Sequence, residues 1–131
     1  MLGMLQTAMD PIQRLVLALV DDDEPLRRAL TFECETAGFL ARAFADAEAA
    51  WAADDASSWG CLIVDLRLPG MSGLDLAERL RRRGHRAPVI LITSNPSNAT
   101  RARARAVGME IVEKPLLGGE LISNVRRVMA I

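Results

Sequence analysis

The 131-residue sequence has few of the residues that build disulfide frameworks or thiolate metal sites. Its two cysteines, Cys34 and Cys61, lie inside apolar patterns and lack CxxC spacing. This arrangement favours two buried, reduced thiols over a disulfide or a metal role. The single histidine, His85, lies in a predicted helix–strand loop without other ligand residues nearby, so we expect an ordinary surface position for it.

Long apolar runs and strong net charge are also missing. The longest apolar run, residues 15–20, is far too short to span a membrane, and residues 1–13 lack the features of a secretion signal. We interpret residues 1–13 as an N-terminal extension and residues 14–131 as one domain, expected in the cytoplasm. A net charge of −1 gives no general attraction to nucleic acid or anionic lipid.

Lysine is nearly absent, because fifteen of the sixteen basic residues are arginine and Lys114 is the single exception. Two arginine clusters stand out, at residues 81–83 with 86 and at residues 101, 103 and 105. The first ends a predicted helix, where cations are favourable, and the second spreads over about 200° of a helix. Both patterns favour solvated faces over a nucleic-acid interface.

Short apolar runs alternate with helical patterns along the chain. The predicted strands lie at residues 15–20, 40–44, 61–64, 89–92 and 111–112, the second being the weakest. A helical pattern follows each run, including a fourth helix over residues 97–107. Strict alternation of this kind predicts a parallel sheet with helices on both faces, joined by right-handed crossovers.

Polar residues occur where the predicted strands end. Asp21 and Asp22 follow the first strand, Asp65 the third and Lys114 the fifth, while Thr93 closes the fourth. Because the carboxyl ends of parallel strands share one edge, we expect these residues to converge on one crevice. Three adjacent carboxylates need a compensating cation, and Mg²⁺ suits oxygen ligands. A carboxylate beside Mg²⁺ can attack phosphorus while an ammonium and a hydroxyl hold the phosphoryl oxygens.

Each of these residues also has an ordinary structural explanation. The pair Asp21 and Asp22 could cap a helix, and Asp65 could be a turn residue before a Pro-Gly loop. Thr93 suits a strand end, and Lys114 could be a solvated charge. One shared site explains their order and their matching positions at strand ends better than four separate explanations.

Four segments carry a family resemblance: VDDDEP at residues 20–25, VDLRLPGMSG at 64–73, ITS at 92–94 and EKP at 113–115. Together they resemble the receiver domain of two-component response regulators, in order and in spacing, over about residues 14–131. The resemblance implies an α/β, flavodoxin-like (βα)5 fold. This is a doubly wound parallel sheet of strand order 2-1-3-4-5 in three αβα layers.

The resemblance also implies a role for each site residue. Asp65 would accept a phosphoryl group from a phosphohistidine on a sensor histidine kinase or phosphotransfer protein. Thr93 would hydrogen-bond that group and Lys114 would pair with it. The Lys114–Pro115 bond would be cis. The ligands of Mg²⁺ would be three carboxylates and one main-chain carbonyl, those of Asp21, Asp22, Asp65 and Arg67.

Phosphorylation in this family implies a switched protein-interaction surface, with a homodimer expected through the fourth and fifth helices and no direct contact with nucleic acid or membrane. The sequence departs from the family at Ile111, where receivers usually carry Tyr or Phe. This departure affects the usual coupling of threonine to an aromatic ring rather than the phosphorylation chemistry. The segment from Thr93 to Lys114 also predicts a short or shifted fourth helix, with Pro96 stiffening its lead-in loop.

Two other functions stay open from the sequence. A receiver that keeps the fold without phosphorylation would be a protein-binding module. An aspartyl-phosphate-type phosphatase is less favoured, because such enzymes look to need a second Asp two residues after the nucleophile, where this chain has Arg67. We therefore expect a switch rather than an enzyme, either as a stand-alone regulator or as part of a longer regulator or hybrid kinase.

Overall fold

The computed structural model describes residues 15–131, so the predicted extension at residues 1–13 lies outside the described residues. Five strands alternate with five helices, as the apolar pattern predicts. The strands are β1 (Val16–Val20), β2 (Leu40–Phe44), β3 (Trp59–Asp65), β4 (Val89–Thr93) and β5 (Glu110–Glu113). The helices are α1 (Glu24–Thr36), α2 (Ala47–Ala52), α3 (Gly73–Arg82), α4 (Asn98–Ala106) and α5 (Glu120–Met129).

The strands form one parallel sheet in the order β2-β1-β3-β4-β5, which confirms the predicted flavodoxin-like topology. In the register, Val20 lies opposite Val64, and Asp65 lies opposite Ile92. The carboxyl ends of β1, β3 and β4 are therefore level with one another. Any polar residue at these ends faces the same edge of the sheet.

Alternating strand residues fill two separate core layers, one on each face of the sheet, as expected for buried parallel strands. On one face, Ala18, Val20 and their neighbours pack against α2, α3 and α4. On the other face, Leu17, Leu19 and their neighbours pack against α1 and α5. Within residues 15–131, no helix is long and apolar enough to cross a membrane.

Four helices begin at a side chain that caps them, so the turns after the strands have fixed geometry. The capping residues, each of which accepts a hydrogen bond from a backbone N–H of the first turn, are Asp23, Asp46, Ser72 and Ser97. Because Ser97 is a cap, α4 is one residue shorter at each end than predicted. Its nine residues agree with the expectation of a short fourth helix.

The cysteines and the histidine lie where the sequence pattern predicts them. Cys34 and Cys61 are buried and free, and burial raises the pKa of each thiol to about 12, as inert buried thiols require. His85 lies in the predicted helix–strand loop and is partly exposed, and its ring also contacts neighbouring residues. Its Nε2 lies 3.0 Å from the Ala56 carbonyl oxygen and its ring meets the edge of Trp59.

The arginines of both clusters are mostly exposed, as predicted, and Arg81 and Arg103 among them also bind neighbouring elements. Arg103 binds Asp75 and Glu78 across the gap between α4 and α3, at 3.2 and 2.6 Å. Arg81 donates to the carbonyl oxygens of His85 and Ala87 at 2.9 and 2.8 Å, which holds the loop before β4. Arg81 and Arg103 thus join neighbouring elements, a role that the spacing of the arginines did not indicate.

Replacing Gly73 with Ala is expected to destabilise the protein by about 1–3 kcal/mol, the usual cost of overpacking. A Cβ at Gly73 would overlap the Asp65 carbonyl oxygen and lie 2.8 Å from Val64 Cγ2, and the backbone atom cannot move aside. Urea unfolding followed by circular dichroism measures the change. Gly118→Ala is the control, since a Cβ there meets open space. Equal stability of the two variants would contradict this account of Gly73.

Candidate functional site

The structure brings together the three carboxylates predicted at the strand ends. Asp21 directly follows β1, and Asp65 is the last residue of β3. Carboxylate oxygens of Asp21, Asp22 and Asp65 all lie within 4.8 Å of one another. Asp21 and Asp65 are 3% and 6% exposed, whereas Asp22 faces solvent. Two of the three charges therefore lie where water screens them poorly.

Lys114 reaches this cluster from the end of β5. Its Nζ donates to Asp65 Oδ2 at 2.7 Å and lies 3.9 Å from Asp21 Oδ2. Its backbone N–H donates to the Thr93 carbonyl oxygen at 2.9 Å, which ties the end of β5 to β4. Burial opposes the charged form of Lys114, but the hydrogen bond and charge of Asp65, with Asp21, outweigh it and raise the pKa of Lys114. The side chain is therefore a permanent ammonium at neutral pH.

Asp21 is a carboxyl group of the cluster whose pKa is raised. Burial raises the pKa of Asp21 above its ordinary value, the charges of Asp65 and Asp22 add to the effect, and the Asp23 N–H opposes it. That N–H donates to Asp21 Oδ1 at 2.8 Å, while Oδ2 is buried without a hydrogen-bond partner. A buried carboxylate oxygen without a partner, beside two further carboxylates, is a donor set that fits a hard cation such as Mg²⁺.

The other two predicted site residues, Arg67 and Thr93, lie beside the carboxylate cluster. The backbone N–H of Arg67 donates to Asp65 Oδ1 at 2.9 Å, so this residue lies beside the cluster while its side chain is exposed. Thr93 is 1% exposed at the end of β4, and its hydroxyl donates to the Ser94 carbonyl oxygen at 3.2 Å. The structure thus places Thr93 at the same edge with its hydroxyl engaged by its neighbour.

Arg27 belongs to the site but escaped the sequence analysis. Its Nη1 donates to the Asp21 carbonyl oxygen at 2.8 Å, which braces the backbone that carries the buried carboxylate. A signal was present, because a cation in the first turn of a helix such as α1 opposes the helix dipole. The side chain of an arginine at that position is therefore favoured to extend towards the residues before the helix.

Two features next to the site concern residues that the sequence analysis singled out. The Lys114–Pro115 bond is cis, as expected. Ile111 is half-buried against the core layer that contains α3 and α4. Together with Arg101, Arg105 and Met109, it lines a shallow groove of about 250 Å³ between α4 and β5.

The family model of the response regulator receiver domain matches residues 17–126 of this chain. The chain belongs to this receiver domain family. Among curated relatives, the sensory transduction protein RegX3 of Mycobacterium tuberculosis is 36% identical over 116 residues, covering 85% of this chain and 49% of RegX3. The transcriptional regulatory protein FixJ of Bradyrhizobium diazoefficiens is 32% identical over 108 residues, covering 82% and 53%. The receiver chain therefore spans about half the length of these relatives.

Solved structures of receivers agree with this fold. The crystal structure of FixJ-N is 31% identical, with a TM-score of 0.77, and the match covers 88% of this receiver and 94% of FixJ-N. The chemotaxis protein CheY4 of Vibrio cholerae, at 23% identity, has a TM-score of 0.80 and covers 87% and 98%. The CheY4 likeness shows a shared fold alone.

Asp21→Asn is expected to make the metal-free receiver more stable at neutral pH, because folding disfavours ionised Asp21. The stability contributed by a group of raised pKa is complete below its ordinary value, 3.8, and is lost as the pH rises through the folded-state pKa. The advantage of the Asn variant should therefore grow from acid to neutral pH. Urea unfolding at several pH values without Mg²⁺ measures it.

Asp22→Asn is the matched control, because it removes the same charge from an exposed position. It should stabilise the receiver less than Asp21→Asn does. If the advantage of Asp21→Asn were absent at neutral pH or shrank as the pH rises, burial and repulsion would not be what raises the pKa of Asp21.

Proposed function

We propose that Asp65 accepts a phosphoryl group from a phosphohistidine of a histidine kinase or phosphotransfer protein, in a Mg²⁺-dependent reaction that switches an interaction surface. The observation that carries the proposal is the Lys114 ammonium, 2.7 Å from the Asp65 carboxylate within a cluster of three carboxylates. This arrangement supplies a nucleophile, a cation for the phosphoryl oxygens and a place for a metal ion. Membership of the receiver family supports it.

In the proposed reaction, a carboxylate oxygen of Asp65 attacks phosphorus. The O–P bond forms as the P–N bond of the phosphohistidine breaks, and the imidazole leaves and takes a proton. The Arg67 N–H and Lys114 Nζ hold the two oxygens of Asp65, at 2.9 and 2.7 Å, and so fix the orientation of the nucleophile. Lys114 then pairs with the new phosphoryl oxygens as a compact point charge.

Four groups would hold Mg²⁺, namely the carboxylates of Asp21, Asp22 and Asp65 and the carbonyl of Arg67. When bound, the ion neutralises carboxylate charge and the negative charge of the entering phosphoryl group. The unpartnered Oδ2 of Asp21 supports its role as a ligand. Because Asp21 and Asp65 are mostly buried, the pull of these charges on a cation is little screened by water.

The switch would begin when the Thr93 hydroxyl leaves the Ser94 carbonyl and donates to the phosphoryl group instead. Thr93 and Lys114 are joined by a backbone hydrogen bond, so both would respond together. The surface of α4, β5 and α5 would then change its contacts, including those of a homodimer. With Ile111 in place of an aromatic ring, this change would be carried by the backbone and the packing of an aliphatic side chain.

Incubation with Mg²⁺ and acetyl phosphate is expected to add one phosphoryl group to the wild-type receiver, and Asp65→Asn should add none because its amide is a poor nucleophile. Intact-mass spectrometry measures the gain. Arg67→Ala is the matched control, since it keeps the backbone N–H that orients Asp65. A wild type that behaves like Asp65→Asn would favour the protein-binding module that works without phosphorylation. Many cycles of phosphomonoester hydrolysis per chain would instead favour a phosphatase.

A further inference from the structure

The loop between β3 and α3, residues 66–72, contains the proposed carbonyl ligand of the metal site. Both of its ends are held by hydrogen bonds, because the Arg67 N–H donates to Asp65 in β3 and the Gly73 N–H at the start of α3 donates to the Leu66 carbonyl oxygen at 3.1 Å. Its middle has less support. Within residues 15–131, one hydrogen bond joins residues 68–71 to another element, from the Met71 N–H to Glu48 Oε2 at 2.8 Å.

Gly70 makes this hydrogen bond sterically feasible. Its φ of +75° lies in the left-handed region, which glycine adopts without strain. A Cβ at this position would overlap Glu48 Oε2, so only glycine lets the carboxylate approach the loop so closely. The turn and the contact with Glu48 therefore depend on the same residue.

Glu48 is well placed to hold the loop because its own backbone is firmly anchored. It is the second residue of α2, a helix capped by Asp46 and buried through Ala47 and Ala50. The loop also contributes Leu68 and Met71, which pack partly against the same core layer. This exposed hydrogen bond thus joins the loop to a helix that is anchored in the core through Ala47 and Ala50, across 23 residues of sequence.

We propose that Glu48 is a positioning residue for the metal site, acting through the Met71 N–H on the loop that carries the Arg67 carbonyl. This inference rests on the proposed function, because it assigns Glu48 a part in Mg²⁺ binding. Mg²⁺ requires near-ideal octahedral geometry, so a loop free to shift binds it more weakly. Groups that hold metal ligands from outside commonly change metal affinity in this way.

The test compares Glu48→Ala with Glu48→Gln, whose amide oxygen can still accept from the Met71 N–H. In the metal-free receiver, Glu48→Ala should lose hydrogen-exchange protection at the Met71 amide, and Glu48→Gln should keep it. In NMR titrations with Mg²⁺, Glu48→Ala should bind about two- to tenfold more weakly, the equivalent of one ordinary hydrogen bond. Glu48→Gln should restore most of the affinity. Glu35→Ala removes an exposed glutamate from α1, away from the loop, and is the charge control.

Two results would overturn the proposed role of Glu48 and leave the proposed function intact. Unchanged protection of the Met71 amide in Glu48→Ala would mean that the contact does not hold the loop. Lost protection with wild-type Mg²⁺ affinity would mean that the contact serves the fold and not the metal site. A wild-type receiver that binds no Mg²⁺ at all would overturn the proposed function itself, and with it this inference.

Discussion

The repulsion among Asp21, Asp22 and Asp65 is the constraint on which the rest of the structure depends. Three carboxylates share a space of a few ångströms and two of them are mostly buried, and among residues 15–131 only Lys114 forms ion pairs with them. One ammonium offsets part of the repulsion, and the pKa of Asp21 is still raised, chiefly by burial and further by the charges of Asp65 and Asp22. The cluster is therefore costly to the folded chain and ready for a further cation. The same imbalance that lowers stability makes the site receptive.

The fold withstands this cost because the acids lie at the ends of two buried strands in the interior of the sheet. β1 and β3 lie in the middle of the sheet with apolar residues on both faces, so their ends have little freedom to separate. Lys114 instead follows β5, a four-residue strand at the edge of the sheet. The central strands β1 and β3 thus hold the carboxylates in place, and the short edge strand β5 leads to the Lys114 ammonium that pairs with them.

Sequence patterns predicted the parts of this arrangement that depend on backbone layout. Apolar runs located the strands, and the acids after them located the edge where Asp21, Asp65 and Lys114 meet. Contacts between side chains and distant backbone were not predictable, because periodicity says nothing about where a long side chain ends. Glu48, for example, reads as an acid that suits a helix start, yet its carboxylate reaches Met71. The partners of Arg103 and His85 were missed for the same reason.

Although Ile111 replaces the aromatic residue usual in receivers, the hydrogen bond between β4 and β5 still connects the candidate site to the surface of α4, β5 and α5. The Thr93 carbonyl accepts from the Lys114 N–H, so one backbone hydrogen bond links the two residues that would bind a phosphoryl group. A phosphoryl group that draws in both side chains would pull on this link from two directions. Ile111 lies in β5, three residues before Lys114, and borders the groove beside α4. Displacement of β5 would therefore alter that groove directly, and an aromatic ring is one way of carrying the change rather than a condition for it.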